Sequence, residues 1–246
     1  MAFYFGGSSL LYTGSTPLPG GVFHQYTVFC WLRSTITPVA DMACWSSGDS
    51  FVGGSSYEAG GIAGAVASDP LYLDSVGAVN RRNITTAGVT ANQWHTCVAR
   101  FAAADLRHLN LDCAGYDGDT GFQTMPALEW WAIGALRKGA APAVSAYFTG
   151  DIAEVAVWDV SLEDAVVFAL CAGYAPDMIR PASLIAYWPL IDDAKDRVGG
   201  YNLTLSGTPP TLSAHPPITY RPYTMLGPPG VGGSVLRTLA TAGAGR

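Results

Sequence analysis

From Phe3 to about Phe148 the chain alternates short runs of Val, Ile, Thr, Tyr, Phe and Trp with clusters of Gly, Ser, Pro, Asn and Asp. Runs of the first kind suit a pleated, half-buried surface and clusters of the second kind make turns, so the rhythm predicts an antiparallel sandwich or barrel. Residues 26–33 and 41–46 read as core strands, whereas 51–80 is so rich in Gly, Ala and Ser that element bounds cannot be drawn there. Residues 93–101 and 106–113 flank a short turn at Ala103, Ala104 and Asp105 and predict a hairpin. Centring that turn near Ala104 sets Cys97 opposite Leu111 and Ala99 opposite Leu109, which gathers an apolar set on one face.

Residues 149–160 alternate as a strand, with Ile152, Glu154, Ala156 and Trp158 on one face and Ala153, Val155 and Val157 on the other. A helix follows. Ser161 suits its N-cap, Asp164 its positive end, Leu162, Ala165, Val166, Ala169 and Leu170 its apolar stripe, and Gly173 its close, giving about three turns. Residues 184–190 return to strand, 192–196 form a polar turn, and 201–205 make a last short strand. Beyond Gly207, the pairs Pro209-Pro210, Pro216-Pro217 and Pro228-Pro229 exclude regular secondary structure. The expected organisation is a sandwich over residues 1–207 and an extended arm over 208–246, with no internal repeat.

Composition sharpens this. Only 13% of the residues are charged, against roughly 25% in soluble domains, and mean hydropathy is +0.23; a surface so poor in charge suits coverage by partners. Membrane insertion is not the explanation, because a spanning helix needs around 18–20 uninterrupted apolar residues. The most apolar stretch, 150–175, is broken by Asp151, Glu154, Asp159, Glu163 and Asp164. Net charge is -6 and no basic run exists, which argues against nucleic-acid binding. The first seven residues lack the features of a secretory signal, so the chain is expected to stay where it is made. Five cysteines cannot all pair; free thiols buried as small hydrophobes are expected, with Cys30 and Cys44 on neighbouring strands as the pair to check.

Three segments in this order resemble the concanavalin A-like lectin/glucanase superfamily, in its LamG and pentraxin-like branch: Asn92 to Val98 with its hairpin partner, Phe148 to Trp158, and the helix carrying Leu162 and Leu170. The resemblance covers roughly residues 3–207 and implies an all-β, two-sheet antiparallel jelly-roll sandwich with one short helix. The ending, from Ile179 to Leu190, Asp196 to Thr204 and His215 to Ile218, is similar to LamG-like virion proteins of tailed bacteriophages, which implies a virion protein made in the host cytoplasm.

Some members of the superfamily hydrolyse β-glucans with two Glu on one strand. The four Glu here (Glu58, Glu129, Glu154 and Glu163) supply no such pair. No nucleophile elbow or zinc-protease motif occurs. His95, His108, Cys97 and Cys113 share the predicted hairpin, but alternation divides them between faces. No cofactor is implied except calcium, which LamG and pentraxin relatives hold at a sandwich edge. Asp112, Asp117 and Asp119 are the candidates, although Asp-Gly-Asp also makes ordinary turns. Adjacent Trp130 and Trp131 must send one ring to each face, so one ring is a candidate for glycan or partner contact. In the arm, Tyr220, Tyr223, Met225, Leu226, Val235, Leu236 and Leu239 supply apolar contacts for assembly.

The expected function is therefore non-enzymatic: a structural protein of a phage virion, a capsid decoration or other particle-surface protein, docked through its arm to other virion proteins and to copies of itself in a ring. The alternative is a tail or fibre component that binds host-surface glycans.

Overall fold

The computed structural model describes residues 1–14, 25–48, 56–77, 79–114, 117–121, 129–138 and 143–220. Two antiparallel sheets face each other. The first runs, edge to edge, Asp117–Asp119, Leu106–Leu111, His95–Ala103, Tyr26–Ser34, Thr149–Trp158, Ala2–Gly6 and Thr211–Ser213, with Leu184–Trp188 added beside Thr149–Trp158. The second runs Thr204–Gly207, Ser9–Tyr12, Trp130–Ile133, Met42–Gly48, Tyr57–Ile62, Pro70–Val76 and Arg81–Gly88. Between them lies the main core, including Phe5, Trp45, Phe101, Trp131, Phe148 and Trp188. Both outer faces are also covered. The helix Asp164–Cys171 and Ile218 pack over the first sheet, and a two-stranded ribbon, Leu136–Lys138 with Ala143–Ser145, packs over the second. The sandwich class read from the sequence is thus the fold, and the hairpin register is as expected, with Cys97 opposite Leu111 and Ala99 opposite Leu109.

Five local expectations change, each for a physical reason. In Thr149–Trp158 the register shifts between Ala153 and Ala156, and Glu154 takes a φ of +56° while its N–H donates to the Pro189 carbonyl at 3.1 Å. This bulge breaks the alternation. Ile152, Val155 and Val157 share the inter-sheet core, and Ala153, Ala156 and Trp158 face the helix. The helix begins after Glu163 rather than after Ser161. Thr27 explains the delay, because its hydroxyl accepts from the Leu162 N–H at 2.9 Å while Arg100 Nη1 donates to the Leu162 carbonyl at 2.8 Å, holding that residue extended against the sheet.

Cys113 and Cys171 form a disulfide, which corrects the expectation of five free thiols and ties the end of the hairpin to the helix. Cys30 and Cys44 are not sheet neighbours; they come from opposite sheets and meet across the core. Finally, order continues past Gly207. Thr204–Gly207 pairs with Ser9–Tyr12 in the second sheet, and Thr211–Ser213 pairs with Ala2–Tyr4 in the first. Gly207, at φ +87°, turns the chain between them, and Pro209-Pro210 fall in that turn instead of excluding a strand. Two consecutive strands joined by one turn therefore seal an edge of each sheet, and the last described residues, up to Tyr220, pack on the sandwich.

Candidate functional site

The outer face of the second sheet concentrates aromatic rings and cations. Trp130, Gly48 and Tyr57 lie side by side on three adjacent strands. Gly48 leaves room for its neighbour: a Cβ there would stand 2.9 Å from the Trp130 ring. Tyr12 lies one strand further, on the strand that pairs with Trp130–Ile133. Over this row the ribbon lays Arg137, whose guanidinium carbon is 5.1 Å from the Tyr12 ring centre and 5.0 Å from that of Trp130. Lys138 Nζ lies 5.4 Å from the Tyr57 ring centre. Towards the other edge Arg82 sits 4.6 Å over Tyr72. Cations over ring faces are attracted by the ring quadrupole, by about 0.5–1 kcal/mol at exposed sites and more where desolvated.

The three cations differ in their partners. Arg82 is neutralised: it makes a two-point contact with Asp74, at 2.7 and 2.6 Å, and a further one with Asp41 at 2.9 Å. The carboxylates hold its pKa above the usual arginine value. Arg137 has no carboxylate partner among the described residues, and its Nε and Nη1 are buried without a hydrogen-bond acceptor. Burial pulls its pKa down from the arginine value, the signature of a charge stripped of water. Its backbone is fixed, since its N–H donates to the Ser46 hydroxyl at 3.1 Å and that hydroxyl donates to the Ala135 carbonyl at 3.0 Å. The arrangement is a held, partly desolvated guanidinium against two aromatic rings, with no carboxylate beside it among the described residues.

Of the described residues singled out in the sequence, Trp130 belongs to this row and the others lie elsewhere. Trp131 points into the inter-sheet core and Trp130 to the outer face, one ring to each side as expected. Neither is exposed, both being 1% accessible, because Arg137 and the ribbon cover Trp130. Trp130 is a platform for the cation and not itself a contact surface. The candidate calcium ligands do not converge among the described residues. Asp112 accepts from the Thr96 N–H at 2.7 Å and contacts His95 Nδ1 at 2.6 Å; burial opposes its ionisation, but these partners outweigh that and keep its pKa below the ordinary value. Asp117 accepts from the N–H and hydroxyl of Thr86 at 3.0 and 2.8 Å, joining the two sheets at their shared edge. Asp119 accepts from the Gly121 N–H at 2.9 Å.

Of the arm residues, Tyr220 is described and docks on Glu154; Tyr223, Met225, Leu226, Val235, Leu236 and Leu239 lie outside the described residues. A surface pocket on the first sheet's side, between 160–163 and 180–183, holds only the exposed Arg180–Glu163 ion pair at 2.7 Å. Sequence reasoning missed Tyr12, Tyr57, Tyr72, Arg82, Arg137 and Lys138. The available signal was the adjacent Arg137-Lys138 in a chain with so few charges, close behind Trp130-Trp131.

The Laminin_G_3 family, described as the concanavalin A-like lectin/glucanases superfamily, matches residues 5–168. A search of curated proteins gave no match. Among solved structures, a carbohydrate binding protein of Bacteroides ovatus, so described provisionally, superposes with a TM-score of 0.60 at 19% identity, over 89% of this chain and 61% of that one. The sialidase CBM40 of Ruminococcus gnavus, bound to α2,3-sialyllactose, gives 0.56 at 14% identity, over 70% and 97%. The enzymatically active domain of tailspike protein 2 of bacteriophage CBA120 gives 0.53 at 16% identity, over 74% and 28%. The chain thus spans less than two thirds of the length of the Bacteroides protein. These likenesses bear on fold, and with the family match they establish that the chain belongs to the concanavalin A-like lectin/glucanase superfamily.

Proposed function

We propose that this protein is a non-catalytic glycan-binding module that takes an acidic sugar on the outer face of its second sheet. The carrying observation is Arg137, held between Tyr12 and Trp130 without a carboxylate partner among the described residues. A sugar carboxylate offers the two coplanar oxygens that a guanidinium fork binds, and a charge-assisted pair formed against aromatic rings is stronger than one in open water. Lys138 lies beside it to take a second polar group. The chain carries a net charge of -6, so this cationic face is not a consequence of overall basicity. A lectin-like fold and the sialyllactose-bound likeness support a glycan as the anion's carrier.

Absence of catalysis is supported by the placement of the acids. Glu58 lies on the second sheet and Glu154 on the first, both fully buried, so the superfamily's two-carboxylate arrangement is not assembled from them. Acidic and neutral oligosaccharides printed on one array test the proposal. Binding confined to carboxylate-bearing sugars, and lost in Arg137→Ala, is the expected result; indifference to the carboxylate would reject it.

The same module is proposed to sit on a phage particle. Scarcity of charge, the similarity of residues 179–218 to virion proteins, and the tailspike likeness support this placement. Residues 221–246 would dock it to other virion proteins, starting from a point fixed by Tyr220. Particles assembled with a chain ending at Tyr220 should lack the protein; normal incorporation would remove the docking role.

A further inference from the structure

The main core contains three cysteines brought together from both sheets. Cys30 and Cys97 are direct cross-strand partners in the first sheet, and Cys44 reaches them from the second, with its Sγ 3.7 Å from that of Cys30. All three sulfurs lie within 4.8 Å of one another and all three residues are fully buried. Cys44 is there by a device. The register slips between Ala43 and Trp45, so that Cys44 and Trp45 both face inwards. A bulge gives up ladder regularity and re-aims a side chain; here it aims the third sulfur at the other two. A fourth donor is adjacent, because the Cys44 thiol donates to the Gly60 carbonyl at 3.0 Å.

We infer that Cys30, Cys44 and Cys97 form a binding site for one soft d¹⁰ metal ion, Zn(II) or Cu(I), enclosed in the core. Metal–sulfur bonds of about 2.3 Å place thiolate sulfurs roughly 3.8–4.0 Å apart, which matches the Cys30–Cys44 separation and requires only small adjustment of Cys97. Thiolates select such ions over hard cations. Each thiol that binds as a thiolate gives up its proton to solvent as the site forms. Charge distinguishes the two ions. Zn(II) with three thiolates and the Gly60 carbonyl is four-coordinate and carries one net negative charge, whereas Cu(I) needs only the three sulfurs.

Because the site is closed, the ion must enter during folding. The full-length chain is unfolded with reductant and refolded with Zn(II), with Cu(I), or with Cd(II) as an optical probe, then desalted and analysed for metal. One ion per chain, resistant to chelator while folded and released on unfolding, is expected, together with a sulfur-to-cadmium absorption band. Cys30→Ala and Cys97→Ala should each lower retention at least tenfold; Cys113 and Cys171 are intact in both, so metal held by those two would persist. If a variant fails to fold, the band intensity of the wild-type cadmium form still counts the thiolates, and three are expected. Retention equal in wild type and variants, no retention at all, or a disulfide between Cys30 and Cys44 in the refolded chain would overturn the inference.

Discussion

The Tyr220 hydroxyl donates a 2.7 Å hydrogen bond to the Glu154 carboxylate, joining the last described residue to a bulge in the central strand of the first sheet. His215 Nε2 lies 3.1 Å from the same carboxylate oxygen, and the Tyr187 hydroxyl donates to the other. Glu154 has no solvent contact, so residues beyond 214 supply much of what solvates it. Tyr220→Phe should destabilise the protein by about 1–3 kcal/mol, the cost of leaving a buried acceptor short of a donor. Ending the chain at residue 214 should cost more, since it removes His215 and Ile218 as well. Urea denaturation measures both, and wild-type stability in either would show that the segment is not docked.

Asp196 organises the turn after Leu184–Trp188 by accepting four backbone N–H groups. Oδ1 takes those of Tyr187 at 2.8 Å and Val198 at 3.0 Å, and Oδ2 those of Gly199 and Tyr201, both at 2.9 Å. Asp196→Ala leaves four donors without their acceptor and should lower stability by roughly 2–4 kcal/mol, given about 1–3 kcal/mol for each donor left buried and less for those water can reach. Hydrogen exchange at these amides should rise in the variant. Unchanged protection there would show that the carboxylate is not their acceptor.

Glu58 introduces a pH dependence. It faces inwards from the second sheet, fully buried, accepting from Ser75, and burial pushes its pKa up from 4.5 to about 8. The folded value exceeds the unfolded one, so the associated stability is fully present below pH 4.5 and declines as pH rises through 8. Glu58→Gln removes that decline. The variant should match wild type near pH 4 and exceed it by on the order of 3 kcal/mol at pH 7. Melting curves across this range decide it, and parallel profiles would contradict an uncharged Glu58.

The Cys113–Cys171 bridge spans 58 residues of sequence and links the hairpin to the helix. Opening it by the double substitution to serine should cost about 2–4 kcal/mol and loosen the helix before the sheets. Proteolysis within residues 164–171 reports that loosening. No change in melting temperature would show that the helix is held by packing alone.

How much of this was legible in the chain follows from the range of each interaction. The hairpin register could be read because its turn is local and its apolar set self-consistent. The bulge at Glu154 could not, because a Glu at positive φ has no composition signal; its partners, Pro189, Tyr187 and Tyr220, are more than thirty residues away. The same holds for Trp130, whose orientation follows from strand alternation but whose cover depends on a ribbon folding back over it. The aromatic–cation face joins six strands and the ribbon, so no single run of residues announces it. The strand pair of 204–213 was misread at its second strand, since two prolines in a turn look like a structural stop when the open sheet edges that accept those strands are unseen.

Arg137 is proposed to bind a sugar carboxylate. Calorimetric titration with an acidic oligosaccharide such as sialyllactose, beside the neutral lactose core, tests it most directly. Binding to the acidic sugar that weakens at least tenfold in Arg137→Gln, with no measurable heat for lactose, is the predicted result. Equal affinity for both sugars, or an unchanged affinity in the variant, would contradict it.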